Sequence, residues 1–216
     1  YKKALPLLIN GLEKLEYRGY DSAGIAVINS ETNSICCNKA EGKLRNLINN
    51  LSDKNIPGIV GIGHTRWATH GKPEVKNAHP HTDSLGTIAV VQNGIIENFQ
   101  ELKNKLKKEG IIFNSDTDTE VIPHLIKREL NTLNKLNLEN NGSTLLVAVR
   151  NVISDLEGSY ALAVLWADAP TSLVVARRKA PLIIGLGEGE FICASDTPAI
   201  ANFTNIILPM EDEEIA

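Results

Sequence analysis

Residues 63–71 read Gly63-His64-Thr65-Arg66-Trp67-Ala68-Thr69-His70-Gly71 and directly follow the apolar run Ile59-Val60-Gly61-Ile62. The apolar run has the character of a buried strand. A strand that ends in Arg, Trp, Thr and His presents a set of donors at its tip. The guanidinium of Arg66 can hold a carboxylate through two parallel N–H bonds. Trp67 can exclude water, and Thr69 and His70 can bond a second polar group. That inventory suits a small, charged, polar substrate. Taken alone, the stretch reads equally well as a polar loop with a satisfied histidine and an exposed arginine.

Outward from this strand, helix and strand signals are interleaved. Leu5, Leu8, Leu12 and Leu15 predict a helix over 4–16, with Gly19 as its stop. Residues 23–28 and 34–39 read as a hairpin about the turn-like segment 29–33. Leu44, Leu47, Ile48 and Leu51 form the apolar stripe of a helix over 41–51. Residues 87–92 are a second buried-type strand, reached through a long loop over 71–86 that contains proline and histidine. A loop that long inside a compact domain is more often functional than accidental. Helices are predicted over 97–109, 118–130 and 143–156, the second capped by Thr117 or Asp116. The Asn-rich segment 131–142 reads as a surface loop or helix end. Strand-like segments at 159–166, 172–177, 182–187 and 190–194, a short helix over 196–201 and a last strand at 205–208 complete the chain. Helices grouped before, between and after many strands predict two sheets covered by helix layers.

Composition narrows the function classes. With 216 residues and 43% apolar content the chain builds one sizeable core. A net charge of −4 argues against a nucleic-acid partner, and the acidic run Glu211-Asp212-Glu213-Glu214 reads as a solvated linker. Cys36, Cys37 and Cys193 are an odd count, and two of them are adjacent, which fits a reducing, cytoplasmic setting and structural thiols. His64, His70, His79, His81 and His124 form no recognised metal-ligand spacing. No apolar run reaches the length of a membrane-spanning helix.

Two further segments combine with 63–71. Residues 15–24 read Leu15-Glu16-Tyr17-Arg18-Gly19-Tyr20-Asp21-Ser22-Ala23-Gly24, and residues 89–97 read Ala89-Val90-Val91-Gln92-Asn93-Gly94-Ile95-Ile96-Glu97. In this order, and with Ser115-Asp116-Thr117-Asp118-Thr119-Glu120, they resemble the glutaminase domains of glutamine–fructose-6-phosphate aminotransferases. The resemblance runs from the first helix to near the end of the chain. Arg-Gly and Asn-Gly are shared more widely among class II amidotransferases, whereas the wording of 16–24 and 65–71 points to the aminosugar branch. The resemblance implies an α+β fold, the four-layer αββα sandwich of N-terminal-nucleophile hydrolases. It implies that glutamine is hydrolysed to glutamate and that the ammonia passes to fructose 6-phosphate, giving glucosamine 6-phosphate. It implies no metal or organic cofactor, and a homodimer for the full-length protein. In this family the nucleophile is the thiol of an N-terminal cysteine, and the base is that residue's own α-amine. No cysteine precedes the first helix here. Residues 1–216 are therefore expected to be the glutaminase domain without the short strand that carries the nucleophile, and without the C-terminal sugar-isomerase domains that take fructose 6-phosphate.

Candidate site residues follow from the chemistry of amide hydrolysis, which needs a substrate grip and an oxyanion hole besides the nucleophile. Arg66 is the fork for the α-carboxylate of glutamine and Asp118 the anion for its ammonium. Asp118 is alternatively a helix N-terminal residue that complements the dipole, with Asp116 as the other possible partner. The Asn93 side-chain amide and the Gly94 N–H can converge on one oxyanion, although Asn-Gly by itself is first of all a turn signal. Trp67 and Thr69 read as pocket wall and polar contact, and His70 as a residue near the site or a histidine satisfied by backbone. Arg18 is expected near the nucleophile, or else in an ion pair with Asp21. Two readings of other kinds stay open: an amino-acid-binding or partner-binding domain without catalysis, and the glutaminase of another class II amidotransferase, with a different acceptor. The intact set of Arg66, Asp118 and Asn93 argues against the former.

Overall fold

The computed structural model describes residues 2–68 and 71–216. Helix α1 (Ala4–Leu15) continues into a 3-10 turn over Glu16–Arg18 and is followed by the hairpin of β1 (Ser22–Ile28) and β2 (Ile35–Glu41). Helix α2 (Leu44–Leu51) leads to β3 (Gly61–Arg66). A short strand, β4 (His81–Thr82), precedes β5 (Ile88–Ile96), and α3 (Phe99–Lys108), α4 (Val121–Lys135) and α5 (Gly142–Ile153) follow. The chain then runs through β6 (Gly158–Trp166), β7 (Val174–Arg178), β8 (Ile183–Leu186), β9 (Phe191–Ala194) and β10 (Ile207–Pro209).

The strands form three antiparallel sheets in the orders β2-β1-β3, β4-β5-β6-β7 and β10-β8-β9. Alternation along β5 explains how the middle sheet is covered on both sides. Ile88 and Val90 point to one face, where they meet Ile122, Leu125 and Ile126 of α4 and Leu145 and Val149 of α5. Ala89 and Val91 point to the other face, against Ala26, Ile28 and Ile62 of the first sheet. The opposite face of the first sheet packs Ile25 and Val27 on Leu12 of α1 and on Leu44 and Leu47 of α2. The layers are thus helix, sheet, sheet, helix, the αββα sandwich expected. The third sheet lies beside the first, with Leu182, Ile184 and Cys193 against Ala161 and Val175 of the middle sheet.

Several local expectations are revised. Helix α4 begins at Val121, not at residue 118, and neither Thr117 nor Asp116 caps it: the N-cap is Glu120, whose side chain makes no capping bond. The polar side chains of 115–120 are committed to a separate hydrogen-bond network instead. The same helix extends to Lys135, into the segment read as loop, because Leu130 and Leu133 continue its buried stripe. Helix α5 does carry a side-chain cap: the Asn141 carboxamide oxygen accepts from the Thr144 N–H. The Asn93-Gly94 pair is not a turn. It lies inside β5, which pairs with β6 without a break from Ile88↔Trp166 to Ile96↔Gly158.

Candidate functional site

A cleft of about 1230 Å³ opens between α1, the middle sheet and the outer edges of β3 and β9. β3 ends the first sheet and β9 the third, and neither of these edges has a strand partner among the described residues. The lining is apolar along α1 and β8, through Leu8, Leu12 and Ile184, and polar at the end where β3 and β5 finish. Arg18, Arg66, Trp67, Asn93, Gly94 and Asp118 all line this one cleft, although they come from four separate stretches of sequence. Thr69 and His70 lie outside the described residues.

Arg66 ends β3 and is 4% exposed. Its Nη1 donates to the Lys72 carbonyl at 3.4 Å and its Nη2 to the Gly71 carbonyl at 3.3 Å, so the fork fastens the far end of the 67–72 segment. Burial lowers its pKa from the ordinary value, while the carboxylates of Asp118 and Asp21 act in the opposite sense. The near end of the same segment is fastened by Asp21, whose Oδ2 accepts the Ala68 N–H at 2.9 Å. Just ahead of the Ala68 anchor, Trp67 stands 58% exposed at the mouth, edge-to-face with Tyr20 at 5.6 Å between ring centroids. An apolar ring held in water at the lip of a cleft is a ready wall for a bound molecule.

The alternative ion pair for Arg18 with Asp21 is not formed. Arg18 pairs with Asp196, 3.4 Å away across the cleft, and donates to the Ser195 carbonyl at the end of β9. Tyr17 donates its hydroxyl to the same carboxylate at 2.7 Å. The 3-10 turn after α1 is thereby tied to the third sheet.

Asp118 is 3% exposed and precedes α4 rather than lying in its first turn, so the dipole role does not apply in that form. Its Oδ2 accepts the Ile96 N–H at 2.7 Å, which fixes the carboxylate beside the end of β5. Gly94 sits on that strand with φ +133°, and a Cβ there would collide with the Ser159 carbonyl of β6. Only glycine accepts that backbone without strain. Gly94→Ala is expected to cost about 2 kcal/mol or more in stability. Because the strand end must shift, it should also lower the turnover of any reaction that uses the Gly94 N–H by roughly 100-fold. Urea denaturation and steady-state kinetics on the same preparation check both effects.

Beneath the polar end lies a group of buried side chains that the sequence did not single out. His64 stacks on His79 at 4.5 Å between ring centroids, and His79 meets His81 edge-on at 5.0 Å. Burial, reinforced by Arg66, lowers His64 to about 4. Burial, reinforced by His64, His81, Arg66 and Lys39, holds His79 well below its ordinary range. Burial and the charge of Lys39 bring His81 down to about 3. All three are neutral imidazoles at pH 7. Their partners are Thr117, 2.9 Å from His81 Nε2, and Thr119, 3.1 Å from His79 Nε2. A signal did exist: His79 and His81 alternate, as do Thr117 and Thr119, so two period-two polar pairs face each other. The next residue, Glu120, is also buried, which opposes ionisation. The neighbouring His124 imidazole, together with bonds from the Ser115 hydroxyl and from the N–H groups of Asn114 and Ser115, outweighs that and brings it to about 2. His124 stands 3.9 Å from this carboxylate, beyond hydrogen-bond reach.

Cys36, Cys37 and Cys193 are free thiols. Burial raises Cys37, and raises Cys193 to about 11, which suits structural roles. Among the described residues, no group of His, Cys, Asp and Glu is placed to hold a metal ion, and no helix is long and apolar enough to cross a membrane.

Comparisons with known proteins agree with this architecture. A glutamine phosphoribosylpyrophosphate amidotransferase from B. subtilis superposes with a TM-score of 0.80 at 29% identity, covering 100% of this chain and 44% of that one. The glutamine–fructose-6-phosphate aminotransferase of Thermosynechococcus vestitus is 55% identical over 99% of this chain, and that of Aquifex aeolicus 50%. The chain spans about a third of the length of these curated relatives, 33% and 34% respectively. Residues 64–202, well over half of the chain, match the glutamine amidotransferase domain family, and the chain belongs to that family.

Proposed function

We propose that this chain is the glutaminase portion of a glutamine–fructose-6-phosphate aminotransferase. It hydrolyses glutamine to glutamate and releases the ammonia that converts fructose 6-phosphate into glucosamine 6-phosphate on other domains of the same enzyme. The observation that carries the reading is the convergence of Arg66, Asp118 and Asn93-Gly94 on one cleft. In it, Arg66 holds the α-carboxylate of glutamine and Asp118 the α-ammonium. The side-chain carboxamide is then left pointing toward Asn93 and Gly94. Trp67 walls the site, Thr69 and His70 are assigned polar contacts to the substrate, and Arg18 braces the far wall through Asp196.

On this reading the nucleophile enters along the cleft. An extended segment laid between β3 and β9 would pair with both open edges and bury its apolar side chains against Leu8, Leu12 and Ile184. Ending beside Arg66 and Asn93, it would place an N-terminal cysteine against the bound carboxamide. The α-amine of that residue, with a pKa near 8, takes the thiol proton. The thiolate adds to the amide carbon, and the resulting oxyanion is held by the Asn93 Nδ2–H and the Gly94 N–H. The protonated amine then gives its proton to the departing nitrogen, ammonia leaves, and water hydrolyses the thioester to glutamate. No metal or organic cofactor enters this sequence. The cytoplasm is the expected compartment, and a homodimer the expected assembly of the whole enzyme.

A diazoketone analogue of glutamine tests the assignment in the full-length enzyme. The expected result is a single alkylated cysteine in the segment preceding α1, protected by glutamine. Glutamine-protected alkylation of Cys36, Cys37 or Cys193 would overturn it, and so would the absence of any protected label.

A further inference from the structure

We propose that His79, Thr119 and Gln92 form a positioning unit that fixes the oxyanion donors of β5 relative to the ammonium-binding carboxylate of Asp118. This inference rests on the glutaminase reading above and assigns those three residues a task within it.

The hydrogen-bond directions in this triangle follow from one fixed donor. The Gln92 backbone N–H points at His79 Nδ1, 3.4 Å away, so Nδ1 is the acceptor nitrogen of a neutral ring. The proton therefore sits on Nε2, which donates to the Thr119 hydroxyl at 3.1 Å. The Thr119 hydroxyl in turn donates to the Gln92 side-chain oxygen at 2.6 Å. Each bond settles the sense of the next. All three residues are buried, Thr119 completely, Gln92 at 2% and His79 at 5% exposure, so any broken link leaves a polar group unpaired away from water. The low pKa of His79 keeps the acceptor nitrogen free of a second proton. The histidine is itself tightly seated, because β1 carries glycine at position 24, where a Cβ would strike the His79 carbonyl.

The arrangement matters because of where its members stand in the chain. Gln92 immediately precedes Asn93, and Thr119 immediately follows Asp118. The 92–96 stretch of β5 is thus tied to residues 118 and 119 at both ends, through the triangle at Gln92 and through the bond from the Ile96 N–H to Asp118. Asn93 and Gly94 lie between the two ties. A small shift of β5 past residues 118–119 would separate the oxyanion donors from the carboxylate that orients the substrate. Displacements of about 1 Å cost on the order of 100-fold in such sites. The neighbouring pair of Thr117 and His81 has the same chemistry and depth, but its side-chain bonds run to Ser115 and Glu120, and His81 meets β5 only through backbone pairing at Val90, ahead of the 92–96 stretch.

The test compares Thr119→Val, Thr119→Ser and Thr117→Val in the full-length enzyme, with glutaminase kinetics and thermal melts on each. Thr119→Val is expected to lose roughly 30- to 100-fold in kcat with a smaller change in KM, because the triangle aligns donors that act on the transition state. Thr119→Ser keeps the hydroxyl and should recover to within a few-fold of wild type. Thr117→Val is expected to melt earlier yet turn over glutamine at a near-normal rate. Equal kcat in Thr119→Val and Thr117→Val, at whatever melting temperatures, would overturn the proposal and leave only a structural role. An inactive wild-type enzyme would instead count against the glutaminase reading, so the two failures are distinguishable.

Discussion

Arg66→Ala in the full-length enzyme is expected to lower kcat/KM for glutamine by about 1,000-fold, equivalent to roughly 4 kcal/mol of transition-state binding. Two effects add to reach that size. The α-carboxylate loses a two-pronged, charge-assisted partner in a buried place, where water cannot substitute. The Gly71 and Lys72 carbonyls lose the donors that fasten them beside the end of β3. Arg66→Lys separates charge from geometry. It keeps the cation but offers no planar fork, and should recover no more than about a tenth of the lost activity. An analogue of glutamine without its α-carboxylate provides the internal control, since the gap between wild type and Arg66→Ala should shrink to what the lost Gly71 and Lys72 anchors contribute. Near-normal kcat/KM for glutamine itself in Arg66→Ala would remove the substrate grip from the argument and, with it, the orientation of the whole site.

The residues that meet in the cleft were legible because each belongs to a compact run of unusual types. Arg66 and Trp67 follow one apolar run and Asn93-Gly94 follows another, so along the sequence the chemistry begins where the apolar residues stop. The layered sheets were legible for a related reason: alternation along β5 and the leucine stripes of α1 and α2 each declare which face is buried. Where the reading fell short, tertiary bonds had taken residues away from their local preference. Asp116 and Thr117 have the character of helix caps, but the Thr117 hydroxyl is engaged by His81 and Asp116 accepts from Lys76 at 2.9 Å. Asn93-Gly94 has the character of a turn, but the nine-residue pairing with β6 holds it extended. Arg18 stands three residues from Asp21, yet its partner is Asp196, 178 residues away. The Asp21 carboxylate is occupied by the Ala68 N–H. The triangle of His79, Thr119 and Gln92 was the least legible of all. It joins three segments far apart in the chain, and the alternation of His79 with His81 and of Thr117 with Thr119 marks the pairs without telling which of them reaches Gln92.

That same group predicts how the protein responds to acid. His64 and His81 are held at about 4 and about 3, and His79 well below its ordinary range, against an unfolded value near 6.5. The native state therefore refuses protons that the unfolded chain accepts, and stability must fall as pH drops below 6.5. Above that value the contribution is fully present. At pH 5 the unfolded chain carries nearly three more protons on these rings than the native state does. Each contributes a slope of about 1.4 kcal/mol per pH unit, so the loss between pH 6.5 and pH 5 is about 4 to 5 kcal/mol. For a domain whose total stability is of the order of 5–15 kcal/mol, that is a large share. Glu120 adds to the effect further down. With a folded value of about 2 against an ordinary one of 4.5, its contribution is present above 4.5 and is lost as pH falls toward 2. Urea denaturation at pH 7.5, 6.5, 5.5 and 5 measures the slope directly, and His64→Gln should flatten it by about one proton. Stability that holds constant from pH 7.5 to pH 5 would mean that the three rings are not kept neutral by burial. The fixed tautomer of His79, on which the alignment of Asn93 with Asp118 depends, would then have no physical basis.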